Sequence, residues 1–315
     1  MPDFQITSDG NPQTKGTRWF ASHEASGPAS FLVGQTVPFS DGDGGHRGLY
    51  QTRVLSEIPK LHYDRTQAEA DHGLWAHFIW PTVVAESAGG HHLLINTYDR
   101  ARFTFGFYQL AAHTPNDNLI LLFRELLTLP KAVDYFPDLI LKAGKVHRQD
   151  SGALTSLEVA TNVLRPNGKY EDQIVGFMSY LNPDTVNVGE IEARNGARLM
   201  HWLLTDPEAV AVSVRVALAI LRRKVKAQAN VFNLAGKDPR LALWVSDIRH
   251  QGRGSNNQIK AALALGTLTD RLAALADIGA SDHPTRITSV KKSIRTLQDE
   301  GRFAGVVLGD DRLPL

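Results

Sequence analysis

Two carboxylates in one stretch, Glu86 and Asp99 within residues 80–109, are the groups in this chain whose type and spacing suit chemistry. Hydrolysis of a glycosidic bond needs one carboxylic acid to protonate the leaving oxygen. It needs a second carboxylate to activate water or to stabilise the oxocarbenium-like transition state. Glu86 follows Val83, Val84 and Ala85 and has Trp75 and Trp80 near it in sequence. An apolar wall disfavours the charged form and raises a carboxyl pKa, which suits an acid. Asp99 is followed by Arg100 and Arg102, which favour its ionised form and suit a base. Each residue also has a bland reading: a glutamate at a helix end is solvated, and an aspartate before a strand is a turn residue.

The elements that must position them are short. Residues 80–87 read as a helical segment with Pro81 in its first turn, where the missing N–H costs nothing. Gly89 and Gly90 end it, since glycine takes the left-handed cap conformation. A β-hairpin follows: LLINTY is strand-like, DRAR is a polar turn, and FTFGFYQL is an aromatic strand alternating small with large residues. Glu86 then precedes a turn, and Asp99 stands at the mouth of the hairpin.

These residues carry a resemblance. Glu86-Ser87 at a helix end, followed by a hairpin that closes on Gly106-Phe107-Tyr108-Gln109, resembles the lysozyme-like superfamily of glycoside hydrolases. The run Asp99-Arg100-Ala101-Arg102-Phe103-Thr104-Phe105-Gly106 looks like the chitosanase branch, where an Asp opens a strand of the form D-x-x-x-aromatic-T-x-G. Residues 106–109 look closer to the peptidoglycan-cleaving members. The resemblance covers about thirty of 315 residues. It implies Glu86 as general acid, Asp99 as general base, and Thr104, Tyr108 and Gln109 as substrate-binding residues. With Asp99 as base the reaction is expected to invert, and two-carboxylate chemistry of this kind needs no metal or organic cofactor. The fold the resemblance implies is α+β and predominantly α: a lysozyme-like fold with a small β-hairpin sheet and a helical lobe.

Composition bounds the rest. With 43% hydrophobic and 21% charged residues, the chain buries a core. A net charge of +1 gives no general affinity for polyanions, which disfavours a nucleic-acid binder using residues 222–226 and 249–253. No cysteine is present, so disulfides, thiol nucleophiles and thiolate metal sites are excluded. His91-His92 is adjacent rather than spaced as metal ligands are, and no phosphate-binding loop or dinucleotide motif occurs. The opening MPDFQITSDGNPQTKG has no basic region followed by an apolar core, so no signal peptide is expected. No window approaches a membrane span. The expectation is a protein made in the cytoplasm that reaches a cell wall by lysis, non-classical export or an injection apparatus.

Three regions are expected along the chain. Residues 1–45 read as an extended arm with two short strands, WFASHE and ASFLVGQTV. It ends in a turn cluster, Asp41-Gly42-Asp43-Gly44-Gly45, that lacks the full twelve-residue calcium pattern. Residues 46–170 form the catalytic lobe. In it Asp64 caps a helix, Asn116 or Asp117 caps LILLFRELLTL, and Arg165-Pro166-Asn167-Gly168 makes a late turn. His113 and Asn116 follow the second hairpin strand and are candidates to line the cleft, with a capping role as the alternative for Asn116. Residues 171–315 form a helical lobe completing that cleft. It starts with a helix at Glu171, then one with Ile191, Ala197, Leu199, Trp202 and Leu203 as its buried face. Between helices, Asp247, Arg249, His250, Gln251 and Arg253 crowd donors among glycines. Such planar polar groups suit sugar hydroxyls and N-acetyl carbonyls, and Asp247, His250 and Arg253 are further substrate-binding candidates. The alternative is a salt-bridged helix corner.

The expected function is hydrolysis of a β-1,4-linked amino-sugar polymer. Peptidoglycan is preferred because Arg100, Arg102, Arg249 and Arg253 would attract an anionic polymer. The alternatives are a chitosan hydrolase and a non-catalytic wall-binding protein on the same fold.

Overall fold

The two strands expected at WFASHE and ASFLVGQTV are present, and among the described residues before position 51 they belong to a sheet rather than to an extended arm. The structure is a computed structural model that describes residues 4–23, 30–41, 44–165 and 168–315. Glu24, Ala29, Gly42, Asp43, Pro166 and Asn167 of the expected strands and turns lie outside the described residues. The molecule is mixed α/β, 44% helical and 19% strand, with antiparallel sheets. It divides into two compact units, each discontinuous in sequence. The first is Met1–Leu61 with His91–Val216, and the second is His62–Gly90 with Ala217–Leu315. The boundaries expected at 45 and 170 do not coincide with this division.

In the first unit β1 (Phe4–Ser8), β2 (Arg18–His23), β3 (Phe31–Asp41) and β4 (Gly44–Tyr50) pair in succession, all antiparallel. β2 shows why: Trp19, Ala21 and His23 are buried while the residues between them are half-buried, a period of two. The chain leaves this unit for α1 (Arg65–His72) and α2 (Trp75–Glu86), then returns with β5 (Ile95–Asn96), β6 (Thr104–Phe105) and β7 (Leu110–Ala111). The result is a seven-stranded sheet in sequence order, far larger than the expected hairpin. The aromatic strand FTFGFYQL is broken in two, because Gly106 (φ 87°) and Gln109 (φ 49°) turn the backbone between β6 and β7.

The first unit continues with α3 (Leu119–Leu126), α4 (Ala132–Tyr135), a three-stranded sheet of β8 (Leu139–Lys142), β9 (Lys145–Asp150) and β10 (Ala153–Ser156), and a ribbon of β11 (Thr161–Leu164) and β12 (Tyr170–Gln173). The stretch from Glu171 is therefore strand before α5 (Val175–Leu181) begins. The cap of α3 is also misassigned by sequence. Asn118 takes that place with φ 57° and no capping bond from its side chain, which donates to the Thr114 hydroxyl instead, while Asn116 accepts a hydrogen bond from Arg124. α6 (Glu190–Thr205) buries Ala197, Leu199, Trp202 and Leu203 as expected, but Ile191 is 49% exposed. A Cβ at Gly196 would stand 2.7 Å from Ile95 Cδ1, so α6 lies close on the sheet.

α7 (Pro207–Phe232) gives residues 207–216 to the first unit and 217–232 to the second. The second unit adds α8 (Pro239–Gln251), α9 (Asn256–Leu263), α10 (Leu268–Asp277) and α11 (Pro284–Asp299) to α1 and α2, and is built of helices. Asp64 caps α1 as expected, accepting from the amides of Thr66 and Gln67. α2 begins at Trp75, so Pro81 sits in its interior rather than its first turn. It removes one helical hydrogen bond there, and burial of Trp75, Phe78, Ile79 and Val83 stabilises the helix around it. Ala88, Gly89 and Gly90, with φ of 49°, 98° and 92°, turn the chain away after Glu86.

Candidate functional site

Four of the ten sequence-derived site residues come together in the second unit: Glu86, Asp247, His250 and Arg253. Glu86 ends α2, with 17% of its side chain exposed. Its Oε1 accepts a 2.6 Å hydrogen bond from Arg286 Nη1 and lies 3.2 Å from His250 Nε2. Oε2 makes no hydrogen bond among the described residues. Asp247, on the inner face of α8, is fully buried. One carboxylate oxygen accepts from Arg286 Nη2 at 2.7 Å and from the Thr82 hydroxyl at 3.3 Å, and the other accepts from Arg253 Nη1 at 2.7 Å. Arg253 also donates from Nε to the Ile278 carbonyl. Gly279 makes room for it: a Cβ there would stand 2.9 Å from the Arg253 side chain.

The chain Arg253–Asp247–Arg286–Glu86 alternates charge, so each buried ion faces an opposite partner. Asp247 accepts one N–H from each guanidinium group, and Arg286 spends its two terminal nitrogens on two carboxylates, Nη2 on Asp247 and Nη1 on Glu86. Arg286 was not among the sequence-derived candidates. It lies 200 positions from Glu86 on an ordinary amphipathic helix, and no local signal marks it.

The electrostatics reverse the expectation for both carboxylates. Burial pushes the Glu86 carboxyl upward, but the His250 imidazole, by hydrogen bond and charge, and the Arg286 guanidinium outweigh it and hold the group down at about 2. Of the apolar residues before Glu86, Val83 is buried while Val84 and Ala85 are half-buried, and the Glu86 carboxyl group itself faces cations. Asp99 lies in the first unit, in the turn between β5 and β6. Burial raises its pKa, and the bond it accepts from the Ala101 amide at 2.9 Å opposes the rise. Arg102 donates to the Ser179 hydroxyl instead.

The remaining candidates are in the first unit, where several have structural work. Thr104 is buried in β6, and Tyr108 is 1% exposed, which leaves its side chain in the core. Gln109 donates to the Gly106 and Leu94 carbonyls, holding the β6–β7 turn to β5. His113 is half-buried, with Nε2 3.9 Å from Glu171 and its pKa lowered by burial. Asn116 is tied to Arg124. Of the four arginines expected to attract an anionic polymer, Arg253 is spent on Asp247 and Arg102 bonds Ser179, while Arg249 is exposed. Among the described residues no group of three or more histidines or carboxylates is placed to hold a metal ion, and no helix is long and apolar enough to cross a membrane.

Comparisons with protein-family models, curated proteins and solved structures give no match to this chain.

Proposed function

We propose that this protein is a glycoside hydrolase of β-1,4-linked amino-sugar polymers, with a lysozyme-like catalytic arrangement centred on Glu86 and with peptidoglycan as its substrate. One observation carries the reading: both cationic partners of the Glu86 carboxyl group, Arg286 and His250, lie on Oε1, which leaves the second oxygen of this partly exposed side chain without a hydrogen-bond partner among the described residues. The resemblance of residues 80–109 supplies the reaction class, and it assigns the second carboxylate to Asp99.

A general acid must carry a proton in the reacting complex, and the resting Glu86 is ionised. On this reading Glu86 takes up a proton from solvent as substrate binds. A sugar over the carboxyl group removes its remaining water and adds to the desolvation that already pushes the group upward. His250 and Arg286 then keep the deprotonated product of the transfer stable, so that Glu86 is a strong acid once protonated.

The test compares turbidity loss of purified cell-wall sacculi with reducing-end release from chitosan, using wild type beside Glu86→Gln. The expected result is cleavage of sacculi by wild type and a loss of at least ~10²-fold in the folded Glu86→Gln variant. Cleavage of chitosan alone would replace the substrate. Binding to sacculi without cleavage would replace the enzyme by a wall-binding protein.

A further inference from the structure

We propose that Glu192, buried against the turn that carries Asp99, is the positioning residue that holds this turn in place through Thr97. The inference rests on the reading that Asp99 takes part in the reaction. Every group involved belongs to the first unit.

Glu192 stands in the first turn of α6, 1% exposed, and Thr97 is fully buried. The Thr97 hydroxyl donates to Glu192 Oε1 at 3.0 Å and accepts the Leu49 amide of β4 at 2.6 Å. The Thr97 amide returns to the Leu49 carbonyl at 3.1 Å. One hydroxyl thus joins strand, turn and helix. From the other side the Asn182 amide donates to the Thr97 carbonyl at 3.3 Å and the Arg102 carbonyl at 3.1 Å, spanning the two ends of the turn. Within it Arg102 N bonds the Asp99 carbonyl and Ala101 N the Asp99 carboxylate, both at 2.9 Å. The backbone approach is close: a Cβ on Gly48 would stand 2.4 Å from Tyr98 N.

A carboxylic acid at this place is informative because an apolar side chain would be cheaper to bury. Asp184, in the loop before α6, is the charged neighbour that bears on Glu192, and it has the same sign. The other charges on the surrounding elements include Arg47 on β4, bonded to the Val186 carbonyl; Asp99, Arg100 and Arg102 in the turn; and, on α6 itself, the pair Glu190 and Arg194 together with Arg198, which donates to Asn195. Burial first, then Asp184, push the Glu192 carboxyl well above its ordinary range, and the Thr97 hydroxyl opposes the rise. In the neutral acid Oε1 still accepts from Thr97, while an ionised Glu192 would set an uncompensated charge beside the turn. The turn is therefore held most firmly while Glu192 is protonated, and it loosens as pH rises through the raised value of that group.

The experiment follows the full chain by amide hydrogen exchange of residues 97–102 and by steady-state rate on sacculi, from acid to alkaline pH. Glu192→Leu and Thr97→Val should each speed exchange in the turn and lower kcat by about 10²-fold with KM little changed, as expected for misplacement of a reacting group. The double variant should lose no more than either single one, since both break the same link. Glu192→Gln keeps the acceptor and cannot ionise, so it should rescue the turn and abolish the loosening with rising pH. Unchanged exchange in Glu192→Leu and Thr97→Val, or a Glu192→Gln variant as impaired as Glu192→Leu, would overturn the proposal. Faster exchange with an unchanged rate would uphold the positioning and remove Asp99 from the mechanism.

Discussion

At the scale of the residue, the Glu86 cluster makes a quantitative claim on stability. A carboxyl group of ordinary value 4.5 held at about 2 stabilises the fold at neutral pH by about 3 kcal/mol. Because the folded value is depressed, that stability is fully present above the ordinary value and is lost as pH falls from about 4.5 towards 2. Acid titration of the melting temperature should show the loss in wild type, and Glu86→Gln should flatten it. Asp247→Ala strands two buried guanidinium groups and should cost about 3–5 kcal/mol in denaturant unfolding. Arg286→Met releases Glu86 from its cation and raises its pKa. An acid of higher pKa stays protonated to higher pH, so the alkaline limb of the pH–rate profile should move upward in that variant. Asp247, His250 and Arg253 were legible in the sequence because helix-end glycines and crowded donors make a local signal. Arg286 and Glu192 were not. In sequence each is one charge among the charges of an amphipathic helix, and only tertiary packing buries it.

At the scale of the element, the helices were the readable part. Asp64, Pro239 and Pro284 mark helix starts, and Gly252 (φ 73°) ends α8 in the left-handed conformation that its residue type announces. The sheet was read only in part, with β2 and β3 falling on the two expected strands and the rest missed for a physical reason. β1–β4 are rich in Gly, Ser and Thr, which suggests an arm, and their stability comes from pairing with one another rather than from local propensity. β5, β6 and β7 have two residues each, too short for periodicity to register. β4 depends on its glycine: a methyl group at position 48 meets the backbone of Thr97 and Tyr98 at 2.4–2.5 Å, where no flexible side chain can give way. Gly48→Ala should therefore destabilise by at least about 1–3 kcal/mol. It should also speed amide exchange in residues 97–102, whereas the neighbouring Gly45→Ala, with open space around its Cβ, should do neither.

At the scale of the whole molecule, the connectivity could not be read from composition. Residues 62–90 leave the first unit and return to it, and no linker-like run marks either crossing. A fragment of residues 217–315 lacks α1 and α2, and with them the helix against which α11 packs. Expressed alone it should show no cooperative thermal transition by circular dichroism, and a synthetic peptide of residues 62–90 should restore one. The same connectivity orders events on the ribosome. Glu86 is synthesised 200 residues before Arg286, an interval of roughly 10–40 s at ordinary elongation rates of about 5–20 residues per second. Through that interval the nascent chain carries its carboxyl group without the guanidinium that clamps it, so the clamped centre assembles only once α11 has cleared the exit tunnel.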